Sequence, residues 1–165
     1  MKVDQLSSDF KQAMRRLAST VSIVTAGKED QRSGMVATAV SSVSADPPTL
    51  LVVVNQTASI APILVQEGRF QINILGQWHG DIVGAFSGKK KGLERFEHGN
   101  WRISSDGLPV LEDAVATLAC KTVAAFSVAT HMIYVGEVTS VVCHEKIDPL
   151  VWVDGQLART ETFSL

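Results

Sequence analysis

The segment from Gly34 to Asn55 constrains the fold of this 165-residue chain more than any other. In its first half, Gly34 to Ser44, every residue except Met35 is small or β-branched, and hydroxyl side chains are interspersed. Such a segment can be extended and still let a flat ligand lie close to its backbone. Asp46-Pro47-Pro48 predicts a turn. The run Thr49 to Val54 predicts a strand that is buried on both faces, so we interpret the whole segment as a platform for a cofactor.

The chain that follows this strand predicts an anion site. The strand ends at Asn55, and Ser59 begins a segment with Pro62 in its first turn, which predicts a short helix that continues to Gln66. Helix N-termini bind phosphate groups through free backbone N–H groups. The simpler interpretation, in which Asn55 forms a turn and Ser59 caps the helix, is compatible with that role.

The remaining periodicities predict a mostly β chain. An amphipathic helix is expected from Asp9 to Ser19, and a half-buried strand from Arg69 to Leu75 places Gln71 and Asn73 on a polar face. About seven or eight strands are joined by hairpins and not by helical crossovers, which favours an antiparallel barrel over a Rossmann sheet. The length suits one domain spanning residues 1–165.

The composition of the chain limits the partners that it could bind and the cellular compartment that is expected for it. Hydrophobic residues make up 45% of the chain and charged residues 19%, which indicates that a second subunit covers some apolar surface. A net charge of −2 gives no indication of nucleic acid binding. Two cysteines, no signal-like N-terminus and no apolar run near the roughly 20 residues that span a bilayer predict a cytoplasmic protein without membrane contact.

The chain lacks the common catalytic motifs. It has no dinucleotide fingerprint, Walker motif or nucleophile elbow. Its four histidines occupy unrelated contexts, and Cys143 and His144 would face opposite sides of a strand, so no metal site is predicted. Hydride transfer between a nicotinamide and a flavin requires none of these groups, because the cofactors carry the chemistry.

Several motifs together carry a family resemblance over about Phe10 to Gln156. They are Phe10-x-x-Ala-Met-x-x-Leu17, Gly34-Met-x-Ala-Thr-Ala-Val-Ser-Ser-Val-Ser-x-Asp-Pro-Pro-Thr-Leu-Leu-Val52, Asn55-x-x-x-Ser59, Phe70-x-Ile-Asn-Ile-Leu75, Arg95-Phe96, Thr130-His131 and Pro149-Leu-Val151. The chain resembles the short-chain NAD(P)H:flavin oxidoreductases. These are the reductase components of two-component flavin monooxygenases, such as the small component of 4-hydroxyphenylacetate 3-monooxygenase.

The resemblance implies a fold and an activity. The expected fold is an FMN-binding split β-barrel, antiparallel and Greek-key-like, with a few short helices, in a homodimer. The expected activity is NAD(P)H-dependent reduction of FMN or FAD, which supplies reduced flavin to a partner oxygenase. NADH and NADPH both stay open as donors, and the flavin could be a prosthetic group or a substrate.

The resemblance also assigns site residues. Carried over to this chain, Arg95 and Phe96 close over the flavin phosphate, and His131 stands near the nicotinamide as a catalytic positioning group. The chain departs from the family at Val36, where members often have threonine. The other cofactor-binding positions are Met35, Ala37, Thr38, Ala39, Val40, Ser41 and Ser42 along the isoalloxazine, and Asn55 and Ser59 at the ribityl chain and phosphate.

Two further functions remain open at this point. A reductase of the same fold could pass electrons from reduced flavin to a bound acceptor such as a cobalt corrinoid or ferric iron. A non-enzymatic protein could instead hold FMN for storage or sensing. An NADH oxidation assay distinguishes the three functions. Oxidation that scales with free flavin indicates a reductase of diffusible flavin, and oxidation that requires a specific acceptor indicates the second function. Flavin binding without NADH oxidation indicates the third.

Overall fold

The computed structural model describes residues 2–164 as twelve strands and three short α-helices. The helices are α1 (Lys2–Met14), α2 (Ala61–Glu67) and α3 (Gly80–Gly84). The strands are β1 (Ser19–Thr20), β2 (Ser22–Ala26), β3 (Ser33–Ala37), β4 (Val40–Ala45), β5 (Pro48–Asn55), β6 (Arg69–Ile74), β7 (Trp101–Ile103), β8 (Pro109–Leu111), β9 (Ala116–Val128), β10 (His131–Cys143), β11 (Val151–Val153) and β12 (Gln156–Ala158). Single helical turns lie at Glu29–Gln31, Gln77–His79, Ala85–Lys89 and Gly92–Glu97.

Seven strands form one antiparallel sheet in the order β3-β2-β6-β9-β10-β5-β4. The sheet curls, because the Val53 N–H donates to the Ala39 carbonyl at 3.0 Å and so brings the connection between β3 and β4 against β5. Two small sheets, β1-β11-β12 and β7-β8, complete the chain. The prediction of a mostly β, antiparallel chain with few helices is confirmed.

The platform segment is divided between two distant positions in the sheet. The sequence predicts that Gly34 to Ser44 pairs as one unit with the strand before it, but only β3 pairs with β2, whereas β4 pairs with β5. Burial on both faces of β5 is also wrong. Leu50, Val52 and Val54 are buried and the residues between them are half-buried, because residues 2–164 cover the second face only in part.

The long hairpin of β9 and β10 forms as predicted except for one break. The sequence predicts separate strands at residues 111–121, 122–129 and 131–143. The last of these is confirmed, but β9 continues through Lys121 and Thr122 without a break. The pairing shifts there instead: Val135 faces Ala124 and Gly136 faces Thr122, so the extra residue is absorbed as a β-bulge. Gly136 is required because a Cβ atom would lie 2.6 Å from the Phe70 ring.

Helix α1 differs from its predicted bounds and remains partly uncovered. It extends from Lys2 to Met14 and does not begin at Asp9. Asp4 in its first turn complements the helix dipole, which favours the earlier start. Phe10 and Leu17, two of the apolar residues that define the amphipathic pattern, are 61% and 62% exposed.

Two hydrophobic clusters hold the sheet, one on each side of β2. Val24 belongs to the first cluster, in which α2 packs on the main sheet with Phe70 and Tyr134. Ile23 belongs to the second cluster, in which Leu75, Leu111 and the segment that contains α3 and Phe86 pack together. Adjacent residues of β2 point to opposite faces, so the strand connects both cores.

The polar face of β6 is buried and not half-exposed as predicted, because β8 covers it. The Asn73 carboxamide donates to Ile23 O at 3.0 Å and to Thr25 Oγ1 at 3.3 Å. Its oxygen accepts the Leu111 N–H at 2.9 Å. Asn73 therefore attaches the β7-β8 hairpin to the main sheet.

Candidate functional site

An apolar cleft of about 730 Å³ opens at one end of the main sheet. Thr38, Val40, Ser41 and Ser42 form one wall, and Ile72 contributes to the opposite side together with other apolar residues of β6, β9 and β10. Four of the predicted wall residues therefore converge on one space. The volume lies within the range of small-molecule and cofactor sites.

None of the residues of β3 lines this cleft. Ala37 is 5% exposed and belongs to the first core cluster, against which Met35 also packs. Val36 packs on the second cluster. Met35 and Val36 are half-buried, and the departure from the family at Val36 falls at a residue that packs on the second cluster.

Ala39 lies in a different depression from the residues that follow it. With Thr38 it lines a groove of about 480 Å³ beside α1, together with Phe10 and Trp152. Thr38 lines both spaces. The connection between β3 and β4 therefore separates the cleft from the α1 groove.

Arg95 organises a cluster at the far end of β3, which we call the anion cluster: Ser33, Gly34, Ser59 and Arg95. Arg95 Nη1 donates to Gly34 O at 2.9 Å and to Ser59 Oγ at 3.2 Å. Its Nε donates to Lys90 O at 3.2 Å. The two N–H groups of Nη2 make no hydrogen bond to residues 2–164 and are available to a ligand.

Ser59 does not cap the helix that follows it. Helix α2 begins at Ala61, and the residue at its N-cap is Ile60, which makes no side-chain capping bond. The prediction of a helix from Ser59 is therefore wrong by two residues, because Ser59 Oγ is directed to Arg95 and lies 3.4 Å from Ser33 Oγ. The helix ends at Glu67, one residue beyond the predicted Gln66, and Gly68 terminates it with φ +60° and an N–H that donates to Leu64 O.

Asn55 forms the predicted turn. Its Oδ1 accepts both the backbone N–H and the hydroxyl of Thr57, each at 2.9 Å. Its Nδ2 makes no hydrogen bond within the described chain. The amide donors of Asn55 are therefore available four residues before Ser59.

Phe96 lies in an aromatic cluster and not at the cleft. Its ring centroid is 5.3 Å from that of Phe86 and 5.2 Å from that of Trp101, both with edge-to-face geometry. The Arg32 guanidinium lies 5.4 Å over the Phe96 ring. Phe96 thus supports the segment that carries Arg95.

His131 lies at the end of β10 that is remote from the cleft. It faces Asn55 in the sheet register, and its Nδ1 is 2.9 Å from Thr130 Oγ1. Val138, which lines the cleft, is seven residues further along β10, or about 24 Å at 3.4 Å per residue. Within one chain His131 is therefore brought to Asn55 and not to the cleft wall.

The sequence interpretation missed two residues at the anion cluster. Ser33 is 8% exposed and contacts Ser59, and Arg32 covers Phe96. The polar character of residues 27–33 predicts only a hairpin loop for this segment. A signal was present, since a hydroxyl and a guanidinium directly precede Gly34 at the start of the platform.

Burial changes the pKa of two side chains of the main sheet. Burial raises the pKa of the Cys120 thiol to about 12, so the thiol stays protonated at neutral pH and is unreactive. Burial likewise raises the pKa of Tyr134. In residues 2–164, no three His, Cys, Asp or Glu side chains converge on a position for a metal ion. None of the helices in that range has the length and apolarity to cross a bilayer.

Comparison with known proteins decides the family. A family model described as a flavin reductase like domain matches residues 14–161. This chain belongs to the flavin reductase family. The resemblance found in the motifs is thereby confirmed.

The relatives of this flavin reductase family member include two curated proteins of similar length. The chain is 37% identical over 147 residues to the FMN reductase (NADH) RutF of Variovorax paradoxus strain S110, covering 89% of this chain and 82% of the relative. It is 38% identical over 153 residues to the reductase component of an FADH(2)-dependent resorcinol hydroxylase of Rhizobium sp. strain MTP-10005, covering 92% and 86%.

A solved structure shows the same fold. It is BorF, the flavin reductase component of a bacterial two-component tryptophan halogenase, with a TM-score of 0.86 and 26% identity. The superposition covers 95% of this chain and 99% of BorF.

Proposed function

We propose that this member of the flavin reductase family uses NADH to reduce FMN or FAD and releases the reduced flavin to a partner oxygenase. The connection of the anion cluster to the apolar cleft by β3 is the observation that carries the proposal. Relatives named as an NADH-dependent FMN reductase and as the reductase component of a hydroxylase support it.

The geometry of β3 fits a flavin nucleotide. From Gly34 at the anion cluster to Thr38 at the cleft the backbone advances four residues, or about 14 Å. A flavin nucleotide has an anionic phosphate at one end and a flat, largely apolar ring system at the other. The two ends of β3 offer complementary surroundings, with free guanidinium donors at one and an apolar space with hydroxyls at the other.

Each predicted residue has a role in this arrangement. Arg95, through Nη2, and Asn55, through Nδ2, would bind the phosphate and ribityl groups, with Ser59 fixing the guanidinium and Phe96 supporting its segment. His131, opposite Asn55, would hold the nicotinamide nucleotide by a polar contact. Several residues would form the wall against the flavin ring. Side chains would come from Thr38, Val40, Ser41 and Ser42, backbone atoms from Met35 and Ala37, and the rim of the wall from Ala39.

The chain's own contribution to the reaction is positioning. When bound, the flavin accepts a hydride from the nicotinamide and carries the redox chemistry itself. Transfer requires the reacting atoms to be held about 3–3.5 Å apart in a fixed orientation. The hydroxyls of Ser41 and Ser42 orient the ring edge, and the apolar lining of the cleft excludes water from the ring face.

Assembly follows from the uncovered apolar surface. Val123, Phe126 and Val128 on the β9-β10 hairpin are each more than half exposed, as are Phe10 and Leu17 beside α1. We infer that a second copy of the chain covers these residues in a homodimer. The curled main sheet would then correspond to the split barrel, in a single domain that spans the chain. We place this protein in the cytoplasm.

Turnover with free flavin tests the proposal. The purified protein is given NADH under anaerobic conditions with increasing FMN, FAD or neither, and NADH oxidation is followed by absorbance. We expect the rate to rise with added flavin and to saturate, with NADPH as a slower donor. Flavin binding without NADH oxidation would support the FMN-storage alternative, and dependence on a corrinoid or ferric acceptor would support the other.

A further inference from the structure

A second, smaller cavity lies on the face of the main sheet that is opposite to the cleft. Ile72 and Leu118 line the cleft, whereas their sequence neighbours Gln71 and Thr117 line this cavity. Adjacent residues of a strand point to opposite faces of its sheet. The cavity measures about 120 Å³, which is close to the volume of about four waters at ~30 Å³ each.

The sheet register explains why the space exists. Gln71, Ala119 and Ser140 stand side by side on β6, β9 and β10. The single methyl group of Ala119 lies between two longer polar side chains and leaves a depression in the sheet surface. Val110 of β8 and the loop that contains Ser104 complete the walls.

Two largely buried polar side chains line the cavity and can bond to a molecule inside it. Gln71 is 3% exposed and Thr117 is 7% exposed, yet neither side chain makes a hydrogen bond to residues 2–164. Asn73, which follows Gln71 on the same face of β6, makes three. The Gln71 carboxamide and the Thr117 hydroxyl are therefore available to a molecule in the cavity.

The charges at the cavity favour an anion. Arg102 lines it and forms no ion pair with any residue of the described chain. The acidic residue at its edge, Asp106, is already paired with Arg69 at 3.1 Å. The remaining lining includes the apolar side chains of Val110 and Val142.

We propose that this cavity binds a small carboxylate. Its two oxygens accept hydrogen bonds from the Gln71 amide, the Arg102 guanidinium and the hydroxyls of Thr117 and Ser140, and a short hydrocarbon part lies against Val110. The volume is too small for a flavin or a nicotinamide ring system. This site is independent of the flavin site, so either assignment can fail without the other.

Nuclear magnetic resonance on the ¹⁵N-labelled full chain tests the site directly. Propionate is the probe, inorganic phosphate is the competing anion, and the side-chain NH₂ signals of Gln71, identified by their loss in Gln71→Leu, report binding. We expect saturable shifts of these signals at millimolar propionate. Arg102→Gln should weaken propionate binding about tenfold or more, because a charge-assisted hydrogen bond is lost.

A matched variant separates recognition from net charge. Arg159→Gln removes one positive charge from an exposed position outside the cavity and should leave propionate affinity unchanged. Equal affinities of Arg102→Gln and Arg159→Gln would overturn the assigned recognition. Shifts that never saturate would show that the cavity holds only water, and tighter binding of phosphate than of propionate would exclude the carboxylate class.

Discussion

Replacement of Arg95 by methionine tests the anion cluster, because it keeps most of the side-chain volume and removes the charge and all five N–H donors. In the wild-type chain Nη1 and Nε are engaged with Gly34, Ser59 and Lys90, which leaves Nη2 for the ligand. One charge-assisted hydrogen bond contributes about 1.5–3 kcal/mol. We therefore expect the Kd for FMN to rise about 10- to 150-fold in Arg95→Met.

The assay compares FMN with riboflavin, which has the same ring system and no phosphate. Both are titrated by flavin fluorescence into wild type, Arg95→Met and the exposed-charge control Arg159→Met. Riboflavin affinity should be unchanged in Arg95→Met, and the FMN effect should shrink at high salt because screening weakens the phosphate contact. Equal loss of FMN and riboflavin would refute phosphate binding and would show that Arg95 acts only by holding the Gly34 backbone.

Three further predictions follow from burial and register. Ala37→Leu should lower the free energy of unfolding by roughly 1–3 kcal/mol, because the added side chain overpacks the core. Ala39→Leu, at the exposed rim, should weaken flavin binding and leave the thermal melting temperature nearly unchanged. The opposite pair of results would contradict the burial of Ala37. His131→Ala should leave FMN affinity within a few-fold and lower kcat/KM for NADH roughly 2- to 12-fold, so unchanged kinetics with a lower Tm would assign His131 a structural role. The pKa of Cys120 is raised to about 12 in the folded state and is near 9 in the unfolded state. The contribution of the protonated thiol to the free energy of unfolding is therefore complete below pH 9 and falls by about 1.4 kcal/mol per pH unit above it. Cys120→Ala should make the stability less dependent on pH over that range, as measured by alkaline denaturation.

Secondary-structure elements that depend on neighbouring residues in the sequence were predicted well. The limits of β10 follow from a long β-branched run, and the end of α2 follows from Gly68, which adopts the left-handed conformation that glycine tolerates best. The structure also brings Thr38, Val40, Ser41 and Ser42 to one cleft and Ser59 and Arg95 to one end of β3, whereas their roles toward a flavin stay predictions.

Properties that depend on distant residues could not be read from the sequence. The partner of β4 is the exception, because the predicted turn at Asp46–Pro48 is local and by itself directs the chain from β4 back onto β5. The orientation of Ser59 depends on Arg95, which is 36 residues away in the sequence. Burial of Asn73 depends on β8, whose docking position no periodicity of β6 can reveal.

The attachment of the β7-β8 hairpin determines how this protein opens locally. The hairpin forms its own two-stranded sheet, and it is joined to the main sheet by side chains: Thr25 Oγ1 donates to Pro109 O at 2.6 Å, and Asn73 accepts the Leu111 N–H. Elements held by few such bonds open at a lower free-energy cost than the strands of a continuous ladder. In native-state hydrogen exchange the amide proton of Leu111 should therefore exchange before those of β6, as the signature of a separate cooperative unit. Such opening would admit solvent to the buried face of β6 while the apolar cleft on the other face stays folded.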